Sequence, residues 1–331
     1  MVQVCAEKRP ENRNRSTAEN HRVFRLASAQ ATLANLTVRN GWWITRGSGV
    51  DSGANGGNVL IYGGGTVTNC VLDSGYVEHT QDAQVKGALG GNLYIYGDGL
   101  AVDCDITNGL IYNNASAGGG GNVVLHGDGG RLLRCRVMGG HRLDYWPSGQ
   151  YAESGGSGIY MNGACVAESC LVQGNSDTCG AVALFGGACR LVNCTVVGNT
   201  GDYHAFKGVW ANTTEVRAVN CAIYGNGGTD VAEWGGVNES CFDFCAFPAE
   251  CTAGSDSQVV DQDGFVDFAG GNYRIAPNSP LANHGSAAAE YPQTGAVSPT
   301  DLDGNPRIHG RRLDIGCYEM PQQKGLILLV E

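Results

Sequence analysis

The sequence predicts an all-β solenoid, a rod of stacked coils, and three observations predict it. One short frame recurs along the chain: TVTNCVLDSG at residues 66–75 returns as LAVDCDITNG, RLLRCRVMGG, VAESCLVQGN, RLVNCTVVGN and VRAVNCAIYGN. Glycine is abundant, at 52 of 331 residues, while only 16% of residues are charged. That composition suits many short strands joined by tight turns and argues against disorder. Within each frame apolar and polar positions alternate, as in a strand with one buried face.

The repeat starts near residue 22, after a partial N-terminal segment over 1–21. Placed in register, the frames align Leu36, Cys70, Cys104, Cys135, Cys170, Cys194, Cys221 and Cys245. Two places later stand Val38, Leu72, Ile106, Val137, Val172, Val196, Ile223 and Phe247; three places earlier stand Leu33, Val67, Ala101, Leu132, Ala167, Leu191, Ala218 and Phe242. All three columns are apolar, and the position just before the register residue, as in Asn69, Asp103 and Asn193, reads as an outward strand position.

About a dozen residues upstream, most copies carry a second strand introduced by glycine: GGNVLIYGG, GGNLYIYGD, GGNVVLHGD, GSGIYMNGA, CGAVALFGG and KGVWANT. RVFRL, with Phe24 and Leu26, is the first of these. Register spacings of 34, 34, 31, 35, 24, 27 and 24 give one coil each, the longer ones with a loop added. A coil cannot bury its inner face alone, so neighbours stack.

Equivalent inward residues then lie about 4.8 Å apart, and small apolar cysteine fits such a column. About eight coils make a rod roughly 35–40 Å long. The register cysteines are expected to be buried and unpaired, in preference to disulfides, a metal site or reactive thiols. Cys165 and Cys189 form a second small ladder; Cys5, Cys179, Cys241, Cys251 and Cys317 have no place in either, and a Cys241–Cys251 bridge stays open. The β-helical region runs over 22–250, followed by a capping region over 251–319 that covers the last coil's open edge and a tail over 320–331.

The formal net charge of −11 opposes the basic field that nucleic-acid binding needs. The longest apolar run at either end, GLILLV, is far short of the roughly 20 residues of a membrane span. The segment MVQVCAEKRPENRNRSTAENH lacks the apolar centre of a signal peptide, so either the protein is cytosolic or its export signal lies outside this sequence.

HRVFRLASAQATLANLTVRNG, the GG…G…VxNC…GN frames and DLDGNPRIHGRRLDIGCYE together resemble right-handed parallel β-helix proteins of bacterial cell surfaces, those with a C-terminal choice-of-anchor Q region. The resemblance covers residues 22–319 and is most specific in its last segment. It implies a right-handed parallel β-helix of the pectate-lyase-like kind, export, and display at the cell surface or outside the cell.

The large insertions, at 74–90, 109–120, 139–156 and 199–207, all follow the register strand and precede the glycine-led strand, so they stack as one wall. The wall holds Glu78, His79, Asp82 and Lys86, then His141, Arg142, Asp144, Tyr145, Trp146, Tyr151 and Glu153, then Asp202, Tyr203, His204 and Lys207. Beside it, alternation turns Tyr62, Tyr94, Tyr96, His126, Tyr160, Phe185 and Trp210 outward. Rings bordered by acids and amides suit a sugar polymer, and the expected partner is a polysaccharide or glycan along the row Tyr94, Tyr96, His126, Tyr160 and Trp210, walled by Tyr145 and Trp146. The alternative is that the loops fold back and pack over the rings.

An enzyme on this scaffold remains open. A polygalacturonase-like site needs paired aspartates before the glycine-led strand, where this chain has Gly56–Gly57, Gly90–Gly91 and Gly120–Gly121. A lyase acting on a uronate polymer needs a base and cations, for which His141, Arg142, Asp144, His204 and Lys207 are the candidates. DLDGN at 301–305 and DQDG at 261–264 resemble Ca²⁺ loops but lack the distal bidentate Glu, so structural turns, with no cofactor, are expected.

Overall fold

The structure, a computed structural model, describes residues 2–5, 21–45, 55–79, 89–113, 119–144, 155–177, 180–201, 207–211, 215–227, 229–233, 241–249, 251, 256–286, 298–307 and 312–320. Short strands form four stacked parallel sheets of ten, eight, eight and five strands. Every strand pair among the described residues is parallel except the hairpin of Phe265–Asp267 with Asn272–Ile275. The architecture is a parallel β-helix. Its five-stranded sheet means that five coils are complete on all four sides, fewer than the eight coils expected; the other three sheets continue beyond them.

The glycine-led strands pair rung on rung, with Val59, Leu93, Val123, Ile159, Val182 and Val209 in one column. All six are fully buried. The register cysteines from Cys70 to Cys245 are buried with them, and each thiol points at the carbonyl two residues earlier, as Cys70 does to Thr68 at 3.2 Å. The twelve described cysteines are free thiols, Cys241 and Cys251 included, so no bridge joins that pair.

The frame around each register cysteine is two strands, not one. Thr66–Thr68 ends where Asn69 takes φ 49°, and Val71–Asp73 begins after Cys70. Asp103, Asn193 and Asn220 have φ of 54°, 49° and 52° at the same corner. Asn and Asp tolerate the left-handed region better than other non-glycine residues, so the polar column marks a corner and not an outward strand face. The insertions also begin with order: Trp42–Thr45, Tyr76–His79, Leu110–Asn113, His141–Asp144 and Ser176–Asp177 make the fourth sheet.

A chain of buried amides runs up the corner entering that sheet. Asn58 Nδ2 donates to Asn92 Oδ1 (2.6 Å), Asn92 to Asn122 (2.8 Å), Asn122 to Asn175 (3.1 Å), Asn175 to Asn199 (2.9 Å) and Asn199 to Asn226 (2.7 Å). Lower in the rod the amide comes from the GGN segment and caps the backbone N–H of Gly41, Gly75 or Gly109. Higher up it comes from the corner itself, as Asn175, Asn199 and Asn226. Glycine faces the incoming amide because a Cβ at Gly75 would lie 2.7 Å from Asn92 Oδ1 and 2.2 Å from the Gly91 carbonyl oxygen.

After Gln258–Val259 adds a rung beside Ala246–Phe247, the C-terminal region runs back along the flank of the rod. It therefore extends well beyond the last coil's edge. Arg307, buried, donates to Ser169 Oγ (2.8 Å) and to Glu319 Oε1 (2.7 Å). The Cys317 N–H meets Thr195 Oγ1 (3.0 Å) and the Gly316 N–H meets the Asn220 carbonyl (2.8 Å). Leu171, Val197 and Ala222 of the rod share an apolar cluster with Phe265, Tyr273, Leu281 and Ile315 of the flank.

Candidate functional site

The outer face of the glycine-led sheet divides into a covered half and an open half. Tyr94 and Tyr160 are buried, with Leu89, Val124 and Ala183, and Leu60 and Phe185 pack against them. The chain closes over Tyr160 at Gly119, where a Cβ would fall 2.5 Å from the ring. For these two rings, alternation correctly gives the outward side of the strand, but a second layer removes them from solvent. Tyr62 and Tyr96 remain open, at 50% and 42% exposure, and His126 is half-buried beside them.

These three occupy one column, since Tyr62 pairs with Tyr96 and Tyr96 with His126. Tyr62 and Tyr96 are 14° from parallel with centroids 5.2 Å apart, so the rings overlap face to face along the rod. His126 meets Tyr96 edge-on at 5.5 Å. The ring faces are therefore taken by neighbouring rungs, and edges and hydroxyls meet solvent. Below Tyr62 stands the Arg25 guanidinium, 5.8 Å from the ring centroid.

Tyr94 contributes from beneath. Its hydroxyl lies 2.7 Å from His126 Nδ1, and burial pushes its phenol well above the ordinary value of 10.0. The phenol therefore stays protonated and donates to Nδ1, which leaves the hydrogen of the neutral imidazole on Nε2. Tyr94 orients a residue of the open column and does not itself reach solvent.

The fourth sheet supplies the wall. Its His141 is exposed and shares a 2.6 Å hydrogen bond with Ser176 Oγ, whereas Arg142 is 1% exposed. Consecutive strand residues face opposite sides, so these two lyase candidates do not converge. Glu78 is buried and takes the Tyr76 hydroxyl at 2.5 Å. His79 is also buried, has no hydrogen-bond partner for either ring nitrogen among the described residues, and is held neutral as burial lowers its pKa. Asp144, Lys207 and Trp210 lie on strands whose backbone alone is described there. Tyr145, Trp146 and His204 lie outside the described residues.

The two acidic turns are built around backbone donors. Asp301 is fully buried and accepts the N–H groups of Asp303 (3.0 Å), Asn305 (2.7 Å) and Glu319 (2.8 Å) and the Asn305 amide (3.1 Å). Donors directed at both oxygens make this a turn closed on its own carboxylate. Asp261 caps a short 3₁₀ turn by accepting from the Asp263 N–H at 3.0 Å.

No protein-family model matches the chain, and no curated protein matches it. What the fold and site define is a class: a parallel β-helix with a clasped flank and an open column of tyrosine and histidine on one sheet. The sequence pattern points to that column through the outward positions of the glycine-led strand. It does not point to Arg25, which sits on the first such strand, Phe24–Leu26.

Proposed function

We propose that the protein is an exported cell-surface β-helix that binds an extended polysaccharide or host glycan along its glycine-led sheet. The observation that carries this reading is the open column Tyr62, Tyr96 and His126, with ring centroids 5.2 and 5.5 Å apart. Polar groups repeated once per rung serve a ligand that itself repeats along the rod, since an extended chain advances by about one sugar per roughly 4.8 Å step. Contact is through hydroxyls and the imidazole, with the rings held rigid by their stacking. Export and surface display are supported by the resemblance of DLDGNPRIHGRRLDIGCYE to choice-of-anchor Q regions.

Glycan-array screening followed by calorimetry on the best polymer tests it. Tyr62→Phe and Tyr96→Phe should each weaken binding by about 0.5–1.5 kcal/mol, the net value of one neutral hydrogen bond, without changing the melting temperature. Unchanged affinity in the double variant would remove this column from any role in binding.

A further inference from the structure

The charge around the open column differs from that on the rest of the rod. The chain is acidic, with a formal net charge of −11, and its described arginines are largely neutralised in place. Arg39, Arg131, Arg134, Arg136, Arg274 and Arg307 each meet a carboxylate. Arg22 and Arg25, on and beside the first glycine-led strand, meet none among the described residues.

The two differ in how they are held. Arg22 stacks over the Trp43 ring at 4.1 Å and donates to the carbonyls of Asn55 (2.6 Å) and Gly56 (3.0 Å). It is a fixed cation with its donors spent. Arg25 is exposed, and its one described contact is the Tyr62 ring, so its guanidinium donors have no protein acceptor among the described residues. The two charges also feel one another: Arg22 is lowered to about 10, first by burial and then by Arg25. Repulsion of this kind is relieved by an anion.

We propose that the ligand of the column is an acidic polysaccharide, and that Arg25 is the clamp for a sugar carboxylate at the Tyr62 end of the row. This rests on the polysaccharide reading above and adds the chemical class of the polymer. The planar guanidinium fork matches a carboxylate in two parallel hydrogen bonds, and its place over Tyr62 fixes the fork at the head of a line of hydroxyls. From there the polymer runs past Tyr96 to His126, where the Nε2 hydrogen is a further donor. Arg22 is a positioning residue: it touches no ligand and adds a field that favours the anion.

The test compares a soluble polyuronate with its carboxyl-reduced derivative, which keeps the backbone and hydroxyls and loses the charge, on the intact protein. Wild type should bind the polyuronate more tightly, with affinity that falls as salt rises. Arg25→Gln should lower polyuronate affinity about fivefold, the ceiling for one solvent-exposed ion pair, while leaving the reduced polymer's affinity unchanged. Arg25→Lys, which keeps the charge and loses the fork, should recover only part of the loss. Equal binding of both polymers by wild type, or an equal loss for both in Arg25→Gln, overturns the carboxylate clamp and leaves the polysaccharide reading standing. Binding of neither polymer overturns both.

Discussion

Replacing Asn92 by alanine tests whether the buried amide chain holds the coils together. Asn92 makes four hydrogen bonds: its Oδ1 accepts from the Gly75 N–H (2.9 Å) and Asn58 Nδ2 (2.6 Å), and its Nδ2 donates to the Thr107 carbonyl (2.7 Å) and Asn122 Oδ1 (2.8 Å). Three partners keep another bond after the change: Asn58 Nδ2 with the Asp73 carbonyl, Asn122 Oδ1 with the Gly109 N–H, and the Thr107 carbonyl with the Ser74 N–H. The Gly75 N–H keeps none among the described residues. One orphaned buried donor costs about 1–3 kcal/mol, and weakening the other contacts brings the total to about 2–4 kcal/mol. Asn92→Asp should cost more than Asn92→Ala, because it sets a buried carboxylate oxygen against two acceptors. Urea unfolding followed by circular dichroism gives the loss, and amide hydrogen exchange at Gly75 gives its location. A loss below about 1 kcal/mol with Gly75 still protected would show that the amide chain fills space without holding the coils.

Three further outcomes are expected. Burial pushes Glu319 from its ordinary 4.5 up to about 8 against the pull of Arg307. A carboxyl raised on folding contributes stability that is full below 4.5 and is lost as pH rises through about 8; Glu319→Gln should flatten that decline in a melting-temperature series, and an unchanged slope would refute it. Timed alkylation read by mass spectrometry should label half-buried Cys251 well before Cys135, Cys170, Cys194 and Cys221, whose thiols burial pushes far up; simultaneous labelling would contradict the ladder. Nitrogen-15 NMR should find neutral His126 protonated at Nε2, and Tyr94→Phe should shift the tautomer mixture towards Nδ1–H; an unaltered spectrum means that the 2.7 Å hydrogen bond does not set the tautomer.

The coil register was readable in the sequence because inward side chains repeat with the coil and must be apolar in every copy. Val59, Leu93 and Val123 line up for that reason, as do the cysteines. The corners were half-legible. Asn69, Asp103 and Asn193 were visible as a polar column, and their preference for positive φ was the sign of a corner. The amide chain also left a trace, since corners reading Gly75 and Gly109 pair with Asn92 and Asn122, whereas corners reading Asn175 and Asn199 need no such partner. The covering of Tyr94 and Tyr160 left none, because alternation fixes the side of a strand and says nothing of what is laid over it. The flank was equally hidden: Arg307 reaches Ser169 across 138 residues, with no period to betray it.

That flank changes how the rod carries a load. Coils interact chiefly with their neighbours, so tension applied to a terminal strand such as Gln258–Val259 would peel the rod one rung at a time. Tension applied at Met320 enters elsewhere. Its N–H is held by Asp314 Oδ2 (2.7 Å), Glu319 is held by Arg307, and Arg307, Gly316 and Cys317 grip Ser169, Asn220 and Thr195. The pull is shared at once across several coils in the body of the rod, in shear, and the end rung is bypassed. Extension from Met320 should therefore show a higher yield force than extension from Val259.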